Sequence, residues 1–140
     1  MFSETEIAYL KTQPLARIAT VSKDGQPDVA PVCFDFDGTY FYVGRVMDLA
    51  KTLKFKNVQT NPRVALVIDD LESLEPFTPR GIKVHGTADL VTREGYVGFG
   101  MYIRIKPTVI WSGGIEAPAF QDDKPIIKKT IVSTDYSGKP

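Results

Sequence analysis

Apolar and polar positions along most of this chain alternate with a period of two, the signature of half-buried strands. Leu15–Ser22 (LARIATVS) alternates apolar with small or polar residues, and Pro27–Phe36 (PDVAPVCFDF) reads as its partner. Between them, Lys23-Asp24-Gly25-Gln26 supplies the Asp-Gly pair of a tight hairpin turn. Pro31 within the second run predicts an edge position or a bulge, because proline has no N–H to donate. Asp37-Gly38 marks another turn, followed by a strand over Tyr40–Val43. Arg63–Asp69 (RVALVID) is β-branched and apolar enough for a central strand. Residues 70–80 are acidic, carry Pro76 and Pro79, and read as a loop. Gly81–Val91 alternates again. Tyr102–Trp111 is a sixth strand that Pro107 makes irregular, and Ile126–Val132 is a candidate seventh.

The pattern switches to helical spacing in two places. Ser3 and Glu6 have capping-box spacing ahead of Ile7, Tyr9 and Leu10, which predicts a helix over about residues 4–12, stopped by Pro14. Asp48 is the expected N-cap of a second helix. It carries Leu49, Leu53 and Phe55 on one side, Lys51, Lys54 and Lys56 on the other, and reaches about Asn57. Six or seven short strands with hairpin turns and two small helices predict a mainly β antiparallel barrel. No internal repeat or low-complexity segment interrupts the chain. The tail after Ser112, with Gly113-Gly114, Pro118, Pro125 and Pro140, is expected to wrap the barrel or a partner subunit.

Composition narrows the function classes. The 140 residues fit one domain that buries roughly two-thirds of its unfolded surface and needs no disulfide or metal. Lysine plus arginine and aspartate plus glutamate both total 17, so there is no basic footprint for nucleic acid or anionic membrane. Cys33 is the single cysteine. The N-terminal MFSETEIAYL has no apolar signal region, and no run approaches a membrane span, so a soluble cytoplasmic protein is expected. Zero net charge hides one asymmetry. Lys51, Lys54, Lys56 and Arg63 form a stretch without acids, and Asp69, Asp70, Glu72 and Glu75 follow.

Candidate chemistry is sparse. A single histidine, His85, rules out a multi-histidine metal site, and Cys33 with His85 is the one conceivable nucleophile pair. Cys33 lies in an apolar strand and reads as a core residue, and His85 reads as a solvated or hydrogen-bonded strand residue. Gly98-Phe99-Gly100 lacks the third glycine of a dinucleotide loop and precedes a strand. Lys51, Thr52 and Lys54 near a helix start offer two ammoniums, a hydroxyl and helix-end amides. They suit a phosphate, or make an ordinary solvated lysine face. Arg17 inside the first strand pairs with a carboxylate such as Asp35, reaches solvent, or holds an anionic ligand. Trp111 at a strand end is a core, interface or stacking residue.

Taken in order, these segments resemble the pyridoxamine 5′-phosphate oxidase-like family of FMN-binding split barrels, closest to its deazaflavin (coenzyme F420) group. The residues that carry the resemblance are Tyr9-Leu10, Pro14–Pro31, Tyr42-Val43-Gly44, Lys51–Val67 and Asp69-Asp70. Arg80–Gly86 with Ala88, and Ile103–Pro107 leading to Trp111, complete it, so that it spans roughly residues 5–113. The resemblance implies a six-stranded split barrel that dimerises through its sheets, with FMN or F420 at the homodimer interface. It places Arg17, Ile18, Ala19 and Thr20 beside the flavin and Tyr42, Val43 and Gly44 along its ring. Thr52 and Lys54, with Lys51 adjacent, would hold its phosphate, and Arg80, Lys83 and Trp111 would come from the second subunit. Two departures stand out: Gly25-Gln26-Pro27-Asp28 where the family continues Gly-x-Pro-His, and Ser112 before the glycine pair. Residues after about 115 lie outside the pattern. The implied activity is hydride transfer to or from an unknown small molecule, with no side chain required as acid or base. The alternatives are a non-catalytic flavin- or haem-binding module and, ranked lower, a pyridoxamine 5′-phosphate oxidase proper.

Overall fold

The computed structural model describes residues 1–44 and 49–132. Helix α1 (Glu4–Lys11) opens with the expected capping box: Ser3 Oγ accepts from the Glu6 N–H, and Glu6 Oε1 accepts from the Ser3 N–H. Strand β1 (Leu15–Val21) turns through Gly25, at φ +89°, into β2 (Pro27–Cys33). Then come β3 (Asp35–Phe36), β4 (Phe41–Gly44), a single 3₁₀ turn (Leu49–Lys51), α2 (Leu53–Thr60) and β5 (Arg63–Ser73). The chain continues with β6 (Thr78–Gly95), β7 (Gly98–Gly113), β8 (Phe120–Gln121), β9 (Lys124–Pro125) and β10 (Lys128–Ile131).

One antiparallel sheet runs β2-β1-β5-β6-β7-β4-β3, with β10 also on β7, and β8 pairs with β9 separately. The outer edge of β7 is thus divided. Residues 102–105 pair with β4 and residues 109–112 with β10. Between them lies the expected irregularity at Pro107, where the β6 register slips between His85 and Gly86. β2 is an edge strand, as Pro31 requires. The expected strand over Pro27–Phe36 is broken at Phe34, because the chain leaves β1 after Cys33 and pairs with β4 from Asp35. Such a change of partner is how a sheet turns a corner toward closure. The Tyr96 hydroxyl fastens that corner. It donates to the Cys33 carbonyl (2.8 Å) and accepts from the Gly44 N–H (2.9 Å).

The expected loop over residues 70–80 is instead a hairpin arm, with β5 running to Ser73 and β6 starting at Thr78. Asp69, Asp70 and Glu72 are strand residues, and Asp70 faces a cation across the ladder. Asp70 lies opposite Arg80, which grips it bidentately at 3.0 and 2.7 Å. Cross-strand charge pairing supports a strand that composition alone would deny.

Inward side chains build one core: Ile18, Leu66, Ile68, Ile82, Val84, Ile103, Ile105 and Ile110 are all 0–1% exposed. Phe2, Phe36 and Phe41 plug one end of it. The tail returns to the barrel, and Lys128 on β10 bridges Glu116 (2.6 Å) and the buried Glu6 (3.3 Å). Glu6 Oε2 has no well-aligned hydrogen bond, so Lys128 supplies its counter-charge. Among the described residues no helix is long and apolar enough to cross a membrane.

Candidate functional site

The site follows from the register. Residues alternating with the core positions point to the other face of the sheet, and cross-strand pairing aligns them in rows. One row reads Arg17, Val67, Lys83, Trp111, Lys129 across five strands. The next reads Ala19, Ala65, His85, Val109, Ile131. This outward face is apolar in its middle and studded with cations. Among the described residues neither Lys83 nor Lys129 is paired with a carboxylate. Both stand over the Trp111 ring instead, at 4.4 and 5.7 Å from its centroid, and the His85 ring meets it edge-on at 4.6 Å. Burial, followed by the nearby Lys83 and Arg63, lowers the His85 pKa below the ordinary 6.5 and favours a neutral imidazole.

Helix α2 packs on the core side of β1, with Val58 in the core. A buried hydrogen bond from Asn57 Nδ2 to Thr20 Oγ1 (2.9 Å) fixes the two together. The helix start differs from expectation. Asp48 lies outside the described residues, and Thr52 is the N-cap, its hydroxyl accepting from the Phe55 N–H (3.3 Å) and donating to the Leu49 carbonyl (2.7 Å). Lys51 therefore sits in the 3₁₀ turn before the helix and Lys54 in its first turn, so the two do not share a helix face. Lys54 is half-buried with no ion-pair partner among the described residues. Burial lowers its pKa, and Asp28, too distant for an ion pair, partly offsets that. A shallow pocket of about 230 Å³ between β1, β5 and β6 includes Ala19, Thr20, Arg63 and His85.

The remaining expected residues divide by where their side chains go. In the Arg17–Thr20 segment only Arg17 and Ala19 face outward, while Ile18 and Thr20 are 1% exposed and can offer an outward ligand only backbone. Arg17 pairs with Asp69 (2.8 Å), not with Asp35, which Arg93 holds at 2.9 Å. The reason is register: Asp69 lies two residues beyond Val67, the residue opposite Arg17 on β5. Tyr42, Val43 and Gly44 are all buried within the protomer. The Arg93 guanidinium covers the Tyr42 ring at 3.9 Å, and a Cβ at Gly44 would strike the Tyr102 ring. Arg80 is committed to Asp70 and stacks on Tyr9 at 5.0 Å. The Arg80 hydrogen bonds hold the Asp70 carboxyl below its ordinary pKa of 3.8. Burial raises the Tyr9 hydroxyl well above its ordinary value, with the Asp70 hydrogen bond adding to the shift. Cys33 is half-buried at the end of β2 rather than in the core. Among the described residues no cluster of three or more histidine, cysteine, aspartate or glutamate side chains could hold a metal.

Lys83 and Trp111 do come together, beside a groove of about 400 Å³ whose far wall is the tail. Lys129, Phe120 and Ile127, which complete that neighbourhood, are not among the residues expected from sequence. The one hint was the candidate strand over Ile126–Val132, which says nothing of its partner.

A barrel with an open corner, an outward sheet face bearing unpaired lysines, and a capped helix start at its edge define the split-barrel class. The chain belongs to the pyridoxamine 5′-phosphate oxidase family, whose pattern matches residues 3–111. The 5a,11a-dehydrotetracycline/5a,11a-dehydrooxytetracycline reductase of Streptomyces rimosus subsp. rimosus is 39% identical over 123 residues, covering 82% of this chain and 84% of that protein. Among solved structures, HupZ of Group A Streptococcus matches with a TM-score of 0.64 at 22% identity, over 84% of this chain and 99% of that one. A structure described as an F420 reductase matches with a TM-score of 0.55 at 22% identity, over 70% and 90% of the two chains. At such identities these two structures show a common fold.

Proposed function

We propose that this chain is a cytoplasmic flavin- or deazaflavin-dependent oxidoreductase that works as a homodimer on a small organic molecule. The observation that carries the reading is Lys54. A half-buried ammonium with no ion-pair partner among the described residues, in the first turn of α2, calls for an anion to complete it. A cofactor phosphate is such an anion, and the N-terminal end of a helix favours it further. Lys51 adds charge beside it. Thr52, which already donates to Leu49, contributes by setting the helix start and by its remaining lone pair rather than by a free hydroxyl hydrogen. Bound FMN or F420 would supply hydride chemistry, and the protein's part is to grip the phosphate, orient the ring and exclude water.

The homodimer is supported by the outward face. Val29 and Ile131, at opposite ends of one row, are 67% and 63% exposed, and burying such positions is what an association surface does. A partner's Lys83 and Trp111 then become available to the ring. The reductase named above, at 39% identity, supports an oxidoreductase over a storage module. Absorbance and fluorescence titrations with FMN and, separately, F420 test the proposal, alongside sedimentation. Micromolar binding of one cofactor to a species of twice 15.5 kDa is the expected result. Binding of neither, or a monomer, would sink it.

A further inference from the structure

We propose that the groove between the β6–β7 hairpin and the C-terminal tail is a substrate pocket for a flat, multi-ring organic anion, and that the tail sets its specificity. Calling its ligand a substrate rests on the oxidoreductase reading above; the binding site itself does not. The groove holds about 400 Å³, within the range of small-ligand sites. Its floor is smooth for a definite reason. Gly81 and Gly113 are direct cross-strand partners, so bare backbone lies where two side chains would otherwise stand. Trp111 continues that floor as an aromatic surface.

The far wall belongs to the tail, beyond the 3–111 segment that the family pattern covers. Phe120, Pro125 and Ile127 close over the floor, although Phe120 and Ile127 remain 44% and 57% exposed. Gly113 also makes that approach possible, because a Cβ there would lie 3.2 Å from Ile127 Cδ1. The tail is held by more than its own hairpin. β10 pairs with β7, the Val132 N–H donates to the Thr108 carbonyl (2.8 Å), and Lys128 is clamped between Glu6 and Glu116. The wall is therefore a built part of the fold.

Charge selects the occupant. Lys83 and Lys129 bracket the indole without carboxylate partners among the described residues, so the apolar slot has a cationic rim. A planar ring system lies flat on the Gly81–Gly113 backbone with one edge toward the indole, and an enolate, phenolate or carboxylate on that edge meets the Lys83 ammonium that lines the groove, with Lys129 beyond the indole adding to the positive field. A neutral or branched aliphatic molecule satisfies one of these demands or neither. Trp111 is the only tryptophan, so its emission reports on the groove directly.

The test uses the full-length protein, with and without added FMN or F420, and pyrene-1-carboxylate as a flat four-ring anionic probe. Probe binding is read from its own fluorescence anisotropy and from Trp111 quenching. Wild type should bind, and Phe120→Ala and Ile127→Ala should each weaken probe affinity by roughly tenfold, the loss of one apolar contact. Lys83→Gln should weaken the probe more than it weakens an uncharged ring compound. Cofactor affinity and sedimentation should not change in the two tail variants. Probe affinity unchanged in both tail variants overturns the pocket. So does dissociation of a wild-type dimer by them, which would make the groove a subunit seam, and so does no probe binding by wild type. If neither cofactor binds yet the probe binds in a tail-dependent way, the oxidoreductase reading fails and the pocket stands.

Discussion

The two faces of the same sheet differ more than any two elements of this protein. Leu66 and Val67 are neighbours in β5, yet Leu66 is 1% exposed in the core while Val67 lies on the outward face beside the Trp111 groove. The same contrast holds for Ile82 against Lys83 and for Ile110 against Trp111. The inner face is dominated by aliphatic side chains, which exclude water. The outer face mixes valine, alanine, tryptophan, histidine and unpaired lysine, which stabilises a lone barrel little and suits a second surface or ligand well. Among the described residues Lys83 and Lys129 stand over the indole without carboxylate partners.

That contrast can be broken deliberately. The largest effect should come from the inner face. Leu66→Ala removes a fully buried side chain and should cost about 2–5 kcal/mol in urea unfolding. Next is the helix edge, where Lys54→Ala should weaken cofactor binding by more than about 1 kcal/mol while leaving the urea midpoint nearly unchanged. Equal affinity in that variant would remove Lys54 from the site. Tyr96→Phe takes away the hydroxyl that joins β2 to β4 and should lower stability by about 1 kcal/mol, measured the same way. On the outer face, Lys83→Gln should change unfolding by no more than about 0.5 kcal/mol, because no ion pair is lost. A large loss there would mean that the two faces are not as different as the register indicates.

The finest probe is protonation. His85 is the sole histidine, so one imidazole resonance reports it, and its midpoint should fall below 6.5. The native state then binds fewer protons than the unfolded chain near that pH. The small stabilisation this gives is present above 6.5 and lost as the pH falls through the native value. Asp70 follows the same sign lower down. Its carboxyl is depressed below 3.8, so its contribution is complete above that value and disappears under stronger acid. Acid unfolding of Asp70→Asn, compared with wild type, should show a shallower loss across that range.

Local pattern was sufficient for α1 and its capping box, for the Asp-Gly hairpin, for most of the barrel strands, and for an edge position or a bulge at Pro31, of which the fold shows the edge. Each depends on neighbours only a few residues apart, and period-two alternation states which side chains go inward without saying against what. The ordered motifs also revealed the family and pointed to Lys54. Long-range pairing was needed for the rest. Residues 70–80 look like a loop until Asp70 meets Arg80 across the ladder. Arg17 finds Asp69 rather than Asp35 because β1 pairs with β5 in one register and not another. The tail becomes a groove wall only because β10 docks on the part of β7 that β4 leaves open. Contacts between residues tens of positions apart depend on chain closure, and no window of sequence contains that information.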